Sequence, residues 1–403
     1  MNAPPDAWLL APTDDVATAV RALAAGACVD VRCGDVRRAV TLVDAIPAGH
    51  KFALRALAPG LRIRKYGEYI GRTTRAIDAG AFVHEHNLAT AARRSPDLER
   101  AWADAQPVRD IHSVGCNRCS LGESPVWNER DGRLYFVDLR DTPAIHALDI
   151  ESGDEARWPM PEDIGCIVPS ADGTLMAGLR SGFATFDPAR GVLDYVLDPE
   201  PDTPQTRLND GKCDARGRLW CGSMNPDSAL AEGSLYVLEG RDRCTRVLGD
   251  WLTPNGIAWN SDGRTMYVAD TRRGSIEAFA FDAKRGTLHE RRIFADLGTL
   301  PGGPDGACVD REGFLWSAIF DGGALLRLDP QGRIDRVLRL PVSKPASCAF
   351  GGRDYRTLFV TTASRGLSAS RLAAEPLAGH VLALDVGVAG FPPDAFAAGG
   401  LGQ

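Results

Sequence analysis

No run of five or more Lys or Arg residues occurs in this chain, and Asp plus Glu outnumber Lys plus Arg by 53 to 46. A dedicated nucleic-acid binder needs a basic stripe to meet phosphate, so that class is disfavoured, while small neutral or mildly anionic ligands stay open. No apolar window reaches the length of a membrane span. The opening residues Met1-Asn2-Ala3-Pro4-Pro5-Asp6 carry neither the basic start nor the continuous apolar core of a secretory leader, and a cytoplasmic location is the expectation. The ten cysteines show no disulfide framework, and most lie in apolar, strand-like words, so reduced and half-buried thiols are expected. Cys116 and Cys119 form the one close pair, with no second such pair and no nearby His pair, which disfavours a zinc knuckle.

What is present is a globular composition, with 44% apolar and 25% charged residues over 403 positions, enough for two to three domains with sizeable cores. Residues 1–91 form the first unit. Apolar words such as Ala27-Cys28-Val29 and Leu61-Arg62-Ile63 alternate with Gly and Pro turns, predicting a small, mostly β domain with a helix near Ala17–Ala25. Three of the seven histidines gather here, in Gly49-His50-Lys51-Phe52-Ala53-Leu54 and Val83-His84-Glu85-His86-Asn87. The i, i+2 spacing of His84 and His86 predicts both imidazoles on one strand face, making His50, His84 and His86 a candidate ligand site. Two exposed histidines on an edge strand are the competing reading, which spacing alone favours. These words, with Lys65-Tyr66-Gly67 and Ile70-Gly71 between them, resemble the SAF-type, β-clip domain of the altronate and galactarate dehydratases. The large catalytic domain of those enzymes is missing from this chain. The resemblance therefore implies an accessory unit, with a separately encoded dehydratase large subunit as the partner to look for.

A polar stretch, residues 92–112, reads as a linker with one short helix. Beyond it, residues 113–403 are organised by a repeat in which a charged-Gly turn precedes an apolar, aromatic strand. Copies begin at Asp131-Gly132, Asp172-Gly173, Arg216-Gly217, Asp262-Gly263, Glu312-Gly313 and, more weakly, Arg353-Asp354, at intervals of about 41 to 50 residues. That is the length of one four-stranded propeller blade, so the expected fold is all-β, a six-bladed β-propeller preceded by the small β domain. An irregular β-sandwich does not explain the period.

In a propeller the inner strands converge on a central channel. Three positions at their starts hold oxygen donors: Glu123 in Gly122-Glu123-Ser124-Pro125-Val126-Trp127, Asn255 in Pro254-Asn255-Gly256, and Asp305 in Gly303-Pro304-Asp305-Gly306. Two carboxylates and an amide oxygen, without His or Cys, suit a hard divalent cation such as Ca²⁺, Mg²⁺ or Mn²⁺, with Zn²⁺ less favoured. Against this, Asn-Gly and Asp-Gly are also ordinary turn dipeptides. Arg207 and Asn209 in Arg207-Leu208-Asn209-Asp210-Gly211-Lys212 share a strand face and can both donate to the oxygens of a polyol. The four histidines of this region, His112, His146, His289 and His380, are remote from all these words, which argues against a Ser–His–Asp triad.

These words, together with Ser347-Cys348-Ala349-Phe350-Gly351-Gly352, stand in the order found in the gluconolactonase, senescence marker protein (regucalcin) and luciferin-regenerating enzyme family, which residues 121–390 resemble. The resemblance implies a six-bladed propeller with one divalent metal held by Glu123, Asn255 and Asp305, a sugar held by Arg207 and Asn209, and hydrolysis of sugar lactones. Where the family carries a substrate-contacting Glu after Gly222-Ser223-Met224, this chain has Asn225-Pro226-Asp227, so Asp227 is the candidate for that role with a shorter reach. Asp305, placed at the metal, is the expected general base. A non-catalytic protein that binds calcium or sugar acids is the alternative.

Overall fold

Short runs of β-branched and aromatic residues, cut by Gly turns, set the element length throughout. The computed structural model describes residues 5–90, 96–105, 107–108 and 110–399. Contacts divide the chain into two units: Met1–Ser95 with Asp227–Ala231, and Pro96–Pro226 with Glu232–Gln403.

The N-terminal unit is a six-stranded sheet and a three-stranded one. In the first, Val36–Thr41, Cys28–Cys33, Ala7–Trp8, Val16–Ala19, Lys51–Ala53 and Phe82–Val83 lie in that spatial order. Arg62–Lys65, Glu68–Thr73 and Leu88–Thr90 make the second. Ala17, Val29, Val31, Leu42, Ile46, Phe52 and Leu54 form a core on the six-stranded sheet and its turns. The helix expected near Ala17–Ala25 is not formed. Val16–Ala19 instead pairs with Ala7–Trp8 and Lys51–Ala53, and Leu23 bridges to Ile46. Alanine favours helix locally, but here burial between two partner strands overrides that preference. A shared turn, with a branched residue three positions before a left-handed glycine, recurs at Leu23–Gly26, Ile46–Gly49, Leu57–Gly60 and Ile77–Gly80. At Gly80 a Cβ would lie 2.1 Å from the Thr41 carbonyl oxygen, so the turn admits no side chain.

The second unit contains, among the described residues, six four-stranded antiparallel sheets. Their innermost strands are Gly122–Asn128, Ile164–Pro169, Arg207–Cys213, Pro254–Trp259, Gly303–Val309 and Pro345–Gly351, here numbered as sheets one to six. Each inner strand touches the next, and the sixth touches the first, so the sheets form a closed ring, the arrangement of a propeller. The sixth sheet draws on both ends of the unit: Pro345–Gly351, Thr357–Thr362 and Val381–Asp385 are completed on the outside by Ile111–Val114. The repeated charged-Gly turns connect first to second strands. Beneath two of them a carboxylate is buried: Asp310 accepts from Trp316 Nε1 and Arg327 Nε, each at 2.9 Å, and Asp214 accepts from Trp220 Nε1 at 2.9 Å and Arg218 Nε at 2.6 Å.

Part of the segment read as a linker belongs to this ring. The helix Pro96–Ala103 buries Leu98 and Trp102 in the core shared by sheets four and five, and the Arg339 guanidinium sits 4.0 Å above the Trp102 ring. An apolar pair four residues apart gives the helix one sticky face, and that face was available to a neighbour. A short helix at Ala369–Ala374, capped by Ser368, has no counterpart in the expectations. All ten cysteines are free thiols. No helix among the described residues is long and apolar enough to cross a membrane.

Candidate functional site

All six inner strands lose register with their neighbours near the same place. The breaks fall at Glu123/Val126, Ile164/Cys166, Leu208/Gly211, Asn255/Ala258, Pro304/Ala307 and Pro345/Ser347. A bulge of this kind turns a side chain out of the ladder's alternation and frees backbone groups. At or within these breaks stand Glu123, Ile164, Asp210, Asn255, Asp305 and Ala346. A small residue follows each, because the inner strands crowd together: a Cβ on Gly306 would lie 2.0 Å from Ser347 Oγ. Asn255-Gly256 needs glycine for conformation as well, with φ at +57°.

The polar members of this circle are linked. Arg207 Nη1 donates to Asn209 Oδ1 at 2.7 Å, Asn209 Nδ2 donates to Asn255 Oδ1 at 2.8 Å, and Asn255 Nδ2 donates to Thr271 Oγ1 at 2.8 Å. Thr271 Oγ1 in turn donates to the Pro304 carbonyl at 2.7 Å. The chain of bonds thus runs from sheet three through sheet four to the residue before Asp305. A guanidinium can only donate, so its place at one end orients both amides. Asp210 accepts from the Ile257 N–H at 3.1 Å, and Lys212 Nζ reaches across from sheet three to the Ala307 carbonyl of sheet five at 2.5 Å.

Asp305 is buried, and its Oδ1 has no hydrogen-bond partner among the described residues. Burial pushes its carboxyl well above the ordinary range, and the nearby carboxylates of Glu123 and Asp210 push it further, against the Gly306 N–H and Arg207. Burial and Asp210 likewise raise Glu123 to about 8, opposed by Arg207. Arg207 itself is buried and lowered to about 10, chiefly by desolvation. Asp210 thus raises Glu123 and Asp305, and Glu123 raises Asp305, each opposed by Arg207.

Among the described residues no group of three or more His, Cys, Asp or Glu side chains is arranged to hold an ion. A cation here needs the amide oxygen of Asn255 beside the two carboxylates, and Asn255 Oδ1 retains a lone pair beyond the one Asn209 occupies. The all-oxygen donor set, the unpartnered Asp305 Oδ1 and the excess of buried carboxyls fit a hard divalent cation. Along the C-terminal halves of the same inner strands runs a cavity of about 520 Å³, with Asp210 and Lys212 as its charged inner lining and Trp127, Trp259, Phe350 and Phe391 among its apolar walls.

Five of the expected residues, Glu123, Arg207, Asn209, Asn255 and Asp305, are therefore joined by bonds or charge in one cluster. Asp227 is not part of it: the excursion Asp227–Ala231 packs with the N-terminal unit, where Ala229 accepts from the Ala58 N–H at 3.1 Å. Of the two residues expected as donors to a ligand, Asn209 spends both amide hydrogens on Pro254 and Asn255 of sheet four, while Arg207 keeps its Nε unpartnered. Asp210 was missed, although Asp210-Gly211 repeats the pattern of Asp305-Gly306; the word was read for Arg207 and Asn209 as donors. Nothing in the sequence marks Thr271, which lies on a neighbouring strand's end.

In the N-terminal unit, His50 and His84 have ring centroids 5.6 Å apart, and Phe82 lies 5.4 Å from His84 and 5.8 Å from His86. The three histidines gather around Phe82, but not on one strand face. The strand stops at Val83, and Asn87 closes a turn by accepting from the His84 N–H and donating to the Phe82 carbonyl. His146 is buried in sheet one, 2.6 Å from Glu155, and is no part of a nucleophilic triad.

A ring of four-stranded sheets whose inner bulges gather carboxylate, amide and guanidinium groups defines a propeller with a channel site. The chain belongs to the SMP-30/Gluconolactonase/LRE-like family, whose region it matches over residues 121–364. Residues 6–91 match the altronate/galactarate dehydratase SAF domain. The chain is similar to regucalcin of Gallus gallus, 34% identical over 71% of this chain and 98% of that protein. It is also similar to 6-deoxy-6-sulfogluconolactonase of Pseudomonas putida, 36% identical over 69% and 95% respectively. Among solved structures, regucalcin of Agrobacterium tumefaciens, reported as a calcium-binding protein, superposes with a TM-score of 0.67 at 28% identity, covering 70% of this chain and 95% of that one.

Proposed function

We propose that this protein is a metal-dependent sugar lactonase, a six-bladed propeller that opens aldonolactones to aldonic acids. The observation that carries the reading is Asp305, a buried carboxylate with one oxygen unpartnered, held beside Glu123 and Asn255 at equivalent bulges of the ring. The sulfogluconolactonase of Pseudomonas putida and the calcium-binding regucalcin of Agrobacterium tumefaciens support lactone chemistry and a divalent ion in this family.

Lactone hydrolysis needs a polarised carbonyl, an activated water and a stabilised oxyanion. Glu123, Asn255 and Asp305 would hold a Ca²⁺, Mg²⁺, Mn²⁺ or Zn²⁺ ion, which would supply Lewis acidity toward the carbonyl and the developing negative charge. Asp305 would meet the ion through one carboxylate oxygen and accept a water proton on the other, which makes it the candidate general base. Arg207 holds Asn209 and lends positive charge to both carboxylates, and its unpartnered Nε is the donor left for a sugar hydroxyl. Asp305→Asn keeps the shape of the site but removes the base and one negative charge; turnover should fall by about 10²-fold or more. Near-normal hydrolysis by the metal-replete variant would overturn the assignment.

A second reading, a calcium or sugar-acid binding protein without catalysis, is favoured by the likeness to regucalcins. A panel of aldonolactones assayed with and without EDTA separates the two, because a pure binder gives no rate above spontaneous ring opening. The match of residues 6–91 to a sugar-acid dehydratase domain adds a further element: this unit docks a dehydratase large subunit that consumes the aldonate product, with His50, His84 and His86 as a candidate ligand site. Co-purification of such a subunit tests the coupling, and isolation of the lone chain from its native cells counts against it.

A further inference from the structure

Thr271 has no role in the chemistry described so far, yet its hydroxyl is the joint between the two strands that carry Asn255 and Asp305. It accepts from Asn255 Nδ2 at 2.8 Å and donates to the Pro304 carbonyl at 2.7 Å. The first bond acts with the Asn209 donor to fix which end of the Asn255 amide faces Asn209. With Nδ2 tied to Thr271, Oδ1 is left on the side of Asn209 Nδ2. The second bond satisfies a carbonyl that the bulge between Pro304 and Ala307 takes out of the regular ladder, directly before Asp305. Lys212 does the same two residues beyond Asp305, on the Ala307 carbonyl. The backbone that presents Asp305 is therefore held from both sides by side chains of other sheets.

We infer that Thr271 is a positioning residue for the oxygen cluster: the last hydroxyl of a directed chain that starts at Arg207, it sets the Asn255 amide oxygen and the Asp305 backbone in one mutual arrangement. A valine is nearly isosteric with threonine but neither accepts nor donates. In Thr271→Val the Asn255 Nδ2 loses its acceptor, so the amide is held through Asn209 alone, and the Pro304 carbonyl is released. Thr271→Ser keeps the hydroxyl and drops only the methyl group. This inference rests on the proposed metal site, so its test has one arm that needs no metal.

The metal-free arm is NMR of the side-chain amides. In the wild type the Asn255 Nδ2 protons should be dispersed and slow to exchange; Thr271→Val should return them to the random-coil region, while Thr271→Ser should not. Fast exchange in the wild type overturns the inference. The second arm is Mn²⁺ titration by calorimetry, without substrate. Groups that orient ligands are worth about 10–100-fold in metal affinity, so Thr271→Val should bind Mn²⁺ at least about tenfold more weakly, with Thr271→Ser close to wild type. Equal affinity of Thr271→Val and wild type, or an equal loss in both variants, overturns it. If the wild type itself takes up no divalent ion, the metal reading falls, and the amide arm still decides whether Thr271 orders Asn255.

Discussion

Replacing Gly306 by alanine tests the packing that places Asp305. The glycine backbone is in a region open to any residue, so conformational strain plays no part; the effect is steric. A Cβ at this position would stand 2.0 Å from Ser347 Oγ, 2.4 Å from Ser347 Cβ and 2.7 Å from Ser347 Cα. Carbon contacts become favourable only near ~3.5 Å, so the inner strands of sheets five and six must part by about 1 Å. Overpacking of this order costs about 1–3 kcal/mol. In a unit of this size that lowers Tm by about 2–10 °C. The same displacement moves Asp305 relative to Glu123 and Asn255, and a shift of about 1 Å at a reacting group can cost about 10²-fold in rate. Scanning calorimetry and lactonase kinetics on Gly306→Ala should therefore show a modest fall in Tm beside a large fall in kcat. Adding Ser347→Gly removes two of the three close atoms but leaves the Cα, so stability should return only in part. An unchanged Tm together with unchanged kcat would refute the reasoning from strand proximity.

Three other outcomes follow from buried charge and buried sulfur. Arg327→Met leaves the fully buried Asp310 without its guanidinium partner and should cost about 3–5 kcal/mol in urea unfolding, with part recovered by Asp310→Asn in the same chain. Glu123 has a folded-state pKa of about 8 against ~4.3 in the unfolded chain, so the folded, metal-free protein binds more protons between these values. Its stability in EDTA should then fall as pH rises from 5 to 8, and adding Mn²⁺ at neutral pH should release protons, read as a buffer-dependent heat. A native thiol titration should react rapidly at the exposed Cys28 and Cys116, and slowly at Cys119, Cys213, Cys221 and Cys308, whose pKa values burial raises; ten thiols should appear only in denaturant.

The channel words were legible because the bulge imposes its own grammar. A residue turned inward must be followed by something small enough for six strands to meet, which is why Asn255-Gly256 and Asp305-Gly306 stand out and Glu123-Ser124 aligns with them. The same rule applies to Asp210, which Gly211 follows. Thr271 and Lys212 belong to a different kind of information. Each reaches a carbonyl of another sheet, and no local spacing records which distant carbonyl a hydroxyl or ammonium will meet. The stretch at Ala17–Ala25 misled for a related reason: alanine carries a helical preference of tenths of a kcal/mol per residue, which two flanking strands readily outweigh. His84 and His86 show how a single downstream residue, Asn87, can end a strand that spacing alone would continue.

The closing strand Ile111–Val114, which pairs with Val381–Asp385, makes the last sheet a clasp fastened by the two ends of the ring. During synthesis the first five sheets can form in turn, but the circle stays open until the final strand has left the ribosome. The partly made ring has two exposed edges at that stage, and the whole loop-closure entropy is met in one late step. Once fastened, the same clasp ties every sheet to every other, so that fraying at either terminus is opposed by the opposite end of the unit.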